Sequence, residues 1–145
     1  MKFNINIFFG LLFKNAYAII QLKEIDIIMT NERTKKVLQA IIKHCNIINE
    51  TKDFFGNSYE VFEKNSIYQN AILTPVTQIG ELVKRLPMDF RIKNNEIPWK
   101  NIAGMRDIVV HNYETVDKAI LWDVADVEID KIKNFCKKIL NEEEI

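Results

Sequence analysis

Glycine and proline are scarce in this chain, at four and three of 145 residues. So few turn-formers leave no room for the many tight reversals of an all-β sandwich or barrel. Cysteine is nearly absent too: Cys45 and Cys136 stand apart, with no C-x-x-C pair and no histidine paired with them at metal-ligand spacing. That spacing argues against a zinc site, a dithiol redox motif or a disulfide framework. Both cysteines fall in amphipathic stretches and read as buried free thiols of a reducing compartment, so a cytoplasmic location is expected. There is no G-x-x-x-x-G-K-[ST] loop and no G-x-G-x-x-G turn, and the carboxylates show no ligand spacing. A phosphate-cradling loop is thereby excluded, and neither a metal nor a cofactor is expected. Net charge is missing as well, with 20 basic residues against 20 acidic ones. No global field can hold nucleic acid, so any such contact must be local or built by oligomerisation. No apolar run suits a transmembrane helix, and no membrane partner is expected. Internal repeats, low-complexity runs and strand patterns are all lacking.

What is present is a helix-former's composition. Hydrophobic residues make up 48% and charged ones 28%, with Leu, Ile, Lys and Glu abundant. A chain of this length can bury a core as one domain. Glu32 to about Thr51 carries Val37, Ile41, Ile42, Cys45, Ile47 and Ile48 at three- and four-residue steps, the pattern of an amphipathic helix. Phe54-Phe55-Gly56-Asn57 breaks it, and Ser58 caps a short helix through Phe62. A long helix is predicted from Glu63 to Leu86, with Tyr68, Ile72, Val76, Ile79 and Val83 on one side and a kink at Pro75. Asp89–Ile97 reads as a polar linker with about one helical turn. Pro98-Trp99 opens the next helix, which runs to about His111 or Tyr113. Val116-Asp117 starts a last one, whose apolar positions are Ala119, Ile120, Trp122, Val124, Val127, Ile129, Ile132, Phe135, Cys136, Ile139 and Leu140.

Residues 1–28 differ in character. Lys2 precedes an apolar run from Ile5 to Phe13, and Ala16-Tyr17-Ala18 has the form of a leader-peptidase site, so a secretory signal is one reading. The other is an extension ahead of a better start, because Met29-Thr30-Asn31-Glu32 supplies a cap and a carboxylate suited to a helix N-terminus. The second reading is preferred. Residues 1–28 are expected to be an N-terminal extension, from a misassigned start or as a disordered tail, and 29–145 the helical domain.

The chemistry is concentrated in Arg106-Asp107-Ile108-Val109-Val110-His111-Asn112-Tyr113, which holds one of only two histidines. A guanidinium that grips phosphate and an imidazole that moves a proton are a minimal kit for cutting RNA without a metal. Asp107 and His111, four apart, lie about 40° around a helix from each other. The carboxylate can therefore fix the imidazole tautomer and favour its protonated form. Arg106 and His111, five apart, diverge by roughly 140°. They border one cleft only at a frayed helix end or with a second protomer as the facing wall. Arg106 and Tyr113, seven apart, return to nearly the same face. Each residue also has a plain structural reading, as a surface arginine, a satisfied histidine and a packing tyrosine, and the spacing alone does not choose.

The longer run Ile97-Pro98-Trp99-Lys100-Asn101-Ile102-Ala103-Gly104-Met105-Arg106, continuing through Tyr113, resembles the HepT-like branch of the HEPN superfamily. That branch carries R-x4-H-x-Y with a polar residue after the arginine, preceded by I-P-W-x-x-I-x-G-M-R. Tyr113-x3-Asp117-x4-Trp122 is similar to it as well, and the likeness extends from about Met29 to Leu140. The resemblance implies an all-α, antiparallel four- to five-helix bundle that forms a homodimer and brings two copies of the motif to one cleft. It implies a metal-independent endoribonuclease acting as the toxin of a toxin–antitoxin pair. Arg106 would bind the scissile phosphate of the RNA substrate, His111 would transfer a proton as the 2′-hydroxyl attacks, and Asp107 would orient His111. Tyr113 would be modified with AMP by an MntA-like nucleotidyltransferase antitoxin, putting phosphate charge beside Arg106 and His111. This chain has no nucleotidyltransferase signature, so that partner would come from another gene.

From Glu81 to Arg106 six basic residues (Lys84, Arg85, Arg91, Lys93, Lys100, Arg106) face three acidic ones. Such a stretch either guides RNA backbone to the motif or is a solvated surface. A non-catalytic helical HEPN subunit that docks a nucleotidyltransferase and helps bind its substrate is the alternative function, and an inert helical dimer a third. The intact Arg106, His111 and Tyr113 favour the ribonuclease, since a docking module needs no such set.

Overall fold

A computed structural model describes the backbone of residues 5–111 and 116–142, and the side chains of residues 13–107 and 116–141. The chain divides into two compact units, Met1–Arg33 and Thr34–Ile145. The first is helical from Ile5 on, within α1 (Ile5–Phe55), and its described side chains are all exposed, Phe13, Tyr17, Ile20 and Ile28 among them. No helix among the described residues is long and apolar enough to cross a membrane.

The second unit is the expected all-α bundle, without a strand among the described residues. Its first element is the remainder of α1, which buries Val37, Leu38, Ile41, Cys45 and Ile48 at the predicted three- and four-residue steps. Gly56 ends that helix at φ +98°, a conformation that costs a side-chain-bearing residue steric strain, and its N–H closes on Lys52 O at 2.9 Å. Helix α2 (Tyr59–Lys64) follows Ser58 as predicted, although the Ser58 side chain makes no capping bond. The long helix predicted from Glu63 starts instead at Ser66, as α3 (Ser66–Lys84). Asn65 separates the two: its backbone is extended, and its Oδ1 accepts from the N–H groups of Ile67 and Tyr68, at 3.0 Å each. Pro75 sits buried inside α3, which continues through it despite the missing donor to Ala71.

The predicted linker holds a six-residue helix, α4 (Met88–Lys93). It is tied to the next element by Trp99, whose indole Nε1 donates to Asn94 O at 2.7 Å. Helix α5 (Trp99–His111) starts beside Pro98, whose carbonyl accepts from Asn101 and Ile102. Asp117 caps α6 (Lys118–Asp123), its carboxylate accepting from Ala119 N at 2.8 Å and Ile120 N at 3.5 Å. A π-helical turn, Val124–Glu128, then leads into α7 (Ile129–Glu142). The last predicted helix is thus broken into three pieces. Ile120 and Val127, expected in the core, are exposed, while Leu121 is buried. The extra residue of a π turn shifts the downstream apolar stripe around the axis.

An aromatic cluster closes one end of this core. Tyr68 stacks on Phe55 with centroids 4.7 Å apart and meets Phe62 edge-on at 5.2 Å, and Trp122 lies 5.2 Å from Phe62. Lys52, buried, reaches under this cluster. Its ammonium lies 5.5 Å from the Trp122 ring centroid and donates to Asp126 Oδ1 at 2.6 Å and to Ala125 O at 3.4 Å, both in the π turn.

Candidate functional site

Arg106 and Asp107 stand on α5 where it crosses the C-terminal half of α3. The crossing is close because Gly80 has no side chain. A Cβ there would lie 2.9 Å from Arg106 Cβ and 3.1 Å from Ile102 O, tighter than van der Waals contact allows. Glu81 and Lys84, one and four residues further along α3, share the seam.

Four charges alternate there. Arg106 Nε pairs with Glu81 Oε1, an oxygen sealed from solvent. Arg106 Nη1 donates to Asp107 Oδ1 at 3.2 Å, and Lys84 Nζ donates to that same oxygen at 2.7 Å. Lys84 also lies 3.8 Å from Glu81 Oε1. Two cations and two anions cancel formally. The side chains of Glu81 and Arg106 are one-third exposed, whereas Asp107 is 53% exposed. The donors from Lys84, and then from Arg106, hold the Asp107 carboxyl below the usual carboxylate range.

With Nε committed to Glu81, the guanidinium has its Nη groups left for a phosphate. The one described contact on that edge is to an exposed carboxylate, which an incoming anion can displace. Arg106 is thus held on one side by a sealed oxygen and on the other meets an exposed carboxylate, a geometry that is compatible with receiving an anion.

Of the residues expected to carry function, the structure places Arg106 and Asp107 together and adds Glu81 as a partner the sequence did not single out. Lys84 had appeared only as one member of a basic stretch. Lys84 and Arg106 both engage Asp107 through Oδ1, and the expected contact between Asp107 and His111 lies outside the described residues. His111 is the last residue of α5, but its side chain lies outside the described residues, as does all of Tyr113. The chain's other histidine, His44, sits half-buried on α1, where burial, and then Lys43, disfavour its protonation. A cavity of about 280 Å³ between α3, α5 and α7 is lined mostly by apolar side chains, including Val76, Ile79, Met105 and Ile132. None of the four charged residues lines it, so it is not the place for a phosphate.

An all-α bundle with an arginine–carboxylate pair five and four residues ahead of a histidine on one helix is consistent with a HEPN-like domain. Comparison with known proteins makes this specific. Residues 41–139 match the family model described as Ribonuclease HepT-like, and the chain belongs to that family. A protein of Caldanaerobacter subterraneus subsp. tengcongensis, named "Putative RNase", is 38% identical over 106 residues, 73% of this chain and 93% of that one. Another "Putative RNase", from Methanocaldococcus jannaschii, is 38% identical over 115 residues, 79% of this chain and 97% of its own length. A "Probable ribonuclease HepT" of Thermococcus cleftensis is 35% identical over 81 residues, covering 56% of this chain and 74% of that one. No solved structure matches.

Proposed function

We propose that this chain is a metal-independent endoribonuclease that acts in the cytoplasm as a homodimer and as the toxin of a toxin–antitoxin pair. The observation that carries this reading is the setting of Arg106. Arg106 is held at Nε by Glu81 while Nη1 faces solvent-exposed Asp107, which leaves one edge of the guanidinium within reach of an incoming anion. Membership of a ribonuclease-like family supports the RNA phosphodiester as the anion that Arg106 binds.

In this mechanism the 2′-oxygen attacks phosphorus and its proton departs to a base. The P–O5′ bond breaks, and the 5′-oxygen takes up a proton, leaving a 2′,3′-cyclic phosphate and a 5′-hydroxyl. Arg106 stabilises the charge that gathers on the non-bridging oxygens. His111 transfers protons, a role worth roughly 10²–10⁴-fold. The two residues diverge along α5, so a second copy of the motif across a dimer cleft completes the site. Tyr113, two residues past His111, is the site at which an MntA-like nucleotidyltransferase antitoxin adds AMP. The added phosphate competes for Arg106 and shuts off cleavage.

The test is expression of the full chain alone, as wild type, Arg106→Ala and His111→Ala, following growth and RNA integrity, with cleavage repeated in EDTA. Wild type should arrest growth and cut RNA with or without chelator, and both variants should be harmless. Intact RNA and normal growth with wild type would favour the alternative, a non-catalytic subunit that docks a nucleotidyltransferase. Co-production with a nucleotidyltransferase antitoxin should add AMP mass at Tyr113. An unmodified tyrosine in a neutralised complex would replace modification with inhibition by binding.

A further inference from the structure

We infer that Lys84 is a second phosphate-binding residue, and that Asp107 Oδ1 holds the place of a phosphoryl oxygen in the free protein. The inference rests on the reading of Arg106 as a phosphate ligand and extends it to another helix. A single oxygen of Asp107 accepts from Lys84 Nζ at 2.7 Å and from Arg106 Nη1 at 3.2 Å. The Lys84 distance is that of a charge-assisted bond to an anionic oxygen, and the Arg106 contact to the same oxygen is longer and weaker. The two cations come from α3 and α5, and the Gly80 contact fixes how closely those helices approach. The oxygen-binding point between them is therefore built by the fold rather than by flexible side chains alone.

The two carboxylates of the network are not equivalent. Glu81 presents a sealed oxygen to Arg106 Nε and lies 3.8 Å from Lys84, too far for a strong bond. Asp107 is more than half exposed, engages both cations through one atom, and is free to turn into solvent. A phosphate arriving at the seam displaces Asp107 and leaves Glu81 in place. The order rests on exposure, since withdrawing either carboxylate leaves the same single positive charge, which matches one phosphodiester. Asp107 thus keeps the seat preorganised and neutral until substrate arrives, and it lowers the affinity for any anion by competing with it.

The experiment uses a fluorescein-labelled single-stranded 12-mer with 2′-O-methyl sugars, which cannot be cleaved by 2′-hydroxyl attack. Binding to the full chain is followed by anisotropy over a salt series, and cleavage of the 2′-hydroxyl version is measured in parallel. Lys84→Gln should weaken binding about tenfold and reduce the slope of log K against log salt by about 0.7, the contribution of one phosphate contact on a single strand. Lys84→Arg should restore both, which separates loss of charge from loss of fold. Asp107→Asn should tighten binding several-fold at low salt, because the competing charge is gone. If Lys84→Gln keeps wild-type affinity and slope while Arg106→Ala weakens binding, Lys84 is a surface cation and the inference fails with the ribonuclease reading intact. If Asp107→Asn binds no tighter than wild type, the place-holding role is overturned. A wild-type chain that neither binds the probe nor cuts RNA refutes the ribonuclease reading itself.

Discussion

Replacing Gly80 by alanine tests whether the α3–α5 crossing sets the site. The new Cβ would stand 2.9 Å from Arg106 Cβ, and 3.1 Å from a backbone oxygen of the same helix. Neither atom belongs to the free end of a side chain, so relief requires α5 itself to move by about half an ångström to reach ordinary contact near 3.4 Å. Overpacking of this kind costs about 1–3 kcal/mol. Alanine returns about 0.5–1 kcal/mol through better helix propensity. The net should be a loss of about 1–2 kcal/mol, or roughly 4–8 °C in Tm. Gly104, on α5, provides the internal control, because a Cβ there meets nothing within 4 Å. Gly104→Ala should gain about 0.5–1 kcal/mol from propensity alone. Urea unfolding of both variants can be followed by tryptophan fluorescence, since Trp99 and Trp122 are both buried in the bundle. The diagnostic result is opposite signs for the two glycines, together with weakened RNA binding in Gly80→Ala only. Equal stability of the two variants, or a Gly80→Ala that melts no lower than wild type, would refute the claim that glycine permits the crossing.

Three further outcomes follow from other parts of the bundle. Lys52→Met keeps the stem that packs under Trp122 but removes the donor to Asp126 and Ala125 O. Asp126 can rehydrate, so urea unfolding should show a loss of about 1–2 kcal/mol. Burial pushes the thiols of Cys45 and Cys136 up to about 12; iodoacetamide at pH 8 should leave both unmodified in the folded protein and alkylate both in urea. Asp107 titrates low because Lys84 and Arg106 donate to its charged form. Its pairing therefore contributes above the unfolded value of about 3.9 and fades as pH falls through the lower folded value. Carboxyl NMR should find its midpoint below that of ordinary aspartates, and Lys84→Gln should raise it; an unchanged midpoint would mean the lysine does not engage it in solution.

Much of the core was readable from spacing. Ile41, Cys45 and Ile48 on α1, and Tyr68, Ile72, Val76, Ile79 and Val83 on α3, are buried as their periodicity predicts. The break at Asn65 was hidden because the apolar rhythm runs on across it, and only the capping bonds of its side chain reveal two helices. The π turn was unreadable for a different reason: whether a helix takes an extra residue depends on tertiary partners such as Lys52, far away in sequence. At the site, Arg106 and Asp107 were visible as a motif, but their partners across the seam were not. One signal did exist. Gly80 interrupts an otherwise apolar helix face just before Glu81, and such a glycine marks a close backbone approach.

The π turn at Val124–Glu128 also bears on how this sequence can change. A π turn is equivalent to one residue inserted into a regular helix, and each residue turns the chain by about 100°. Upstream, Leu121 and Trp122 point into the core; downstream, Ile129, Ile132, Phe135 and Cys136 do so. Deleting a single exposed residue such as Val127 would convert the turn into uninterrupted α-helix with both sets still facing inward, whereas winding all the present residues as a regular helix would turn one set about 100° away from the core. The turn is thus a place where losing one residue keeps the apolar register of the C-terminal helix and gaining another one breaks it. Related chains that lack the extra residue can keep the same apolar positions on both sides of it.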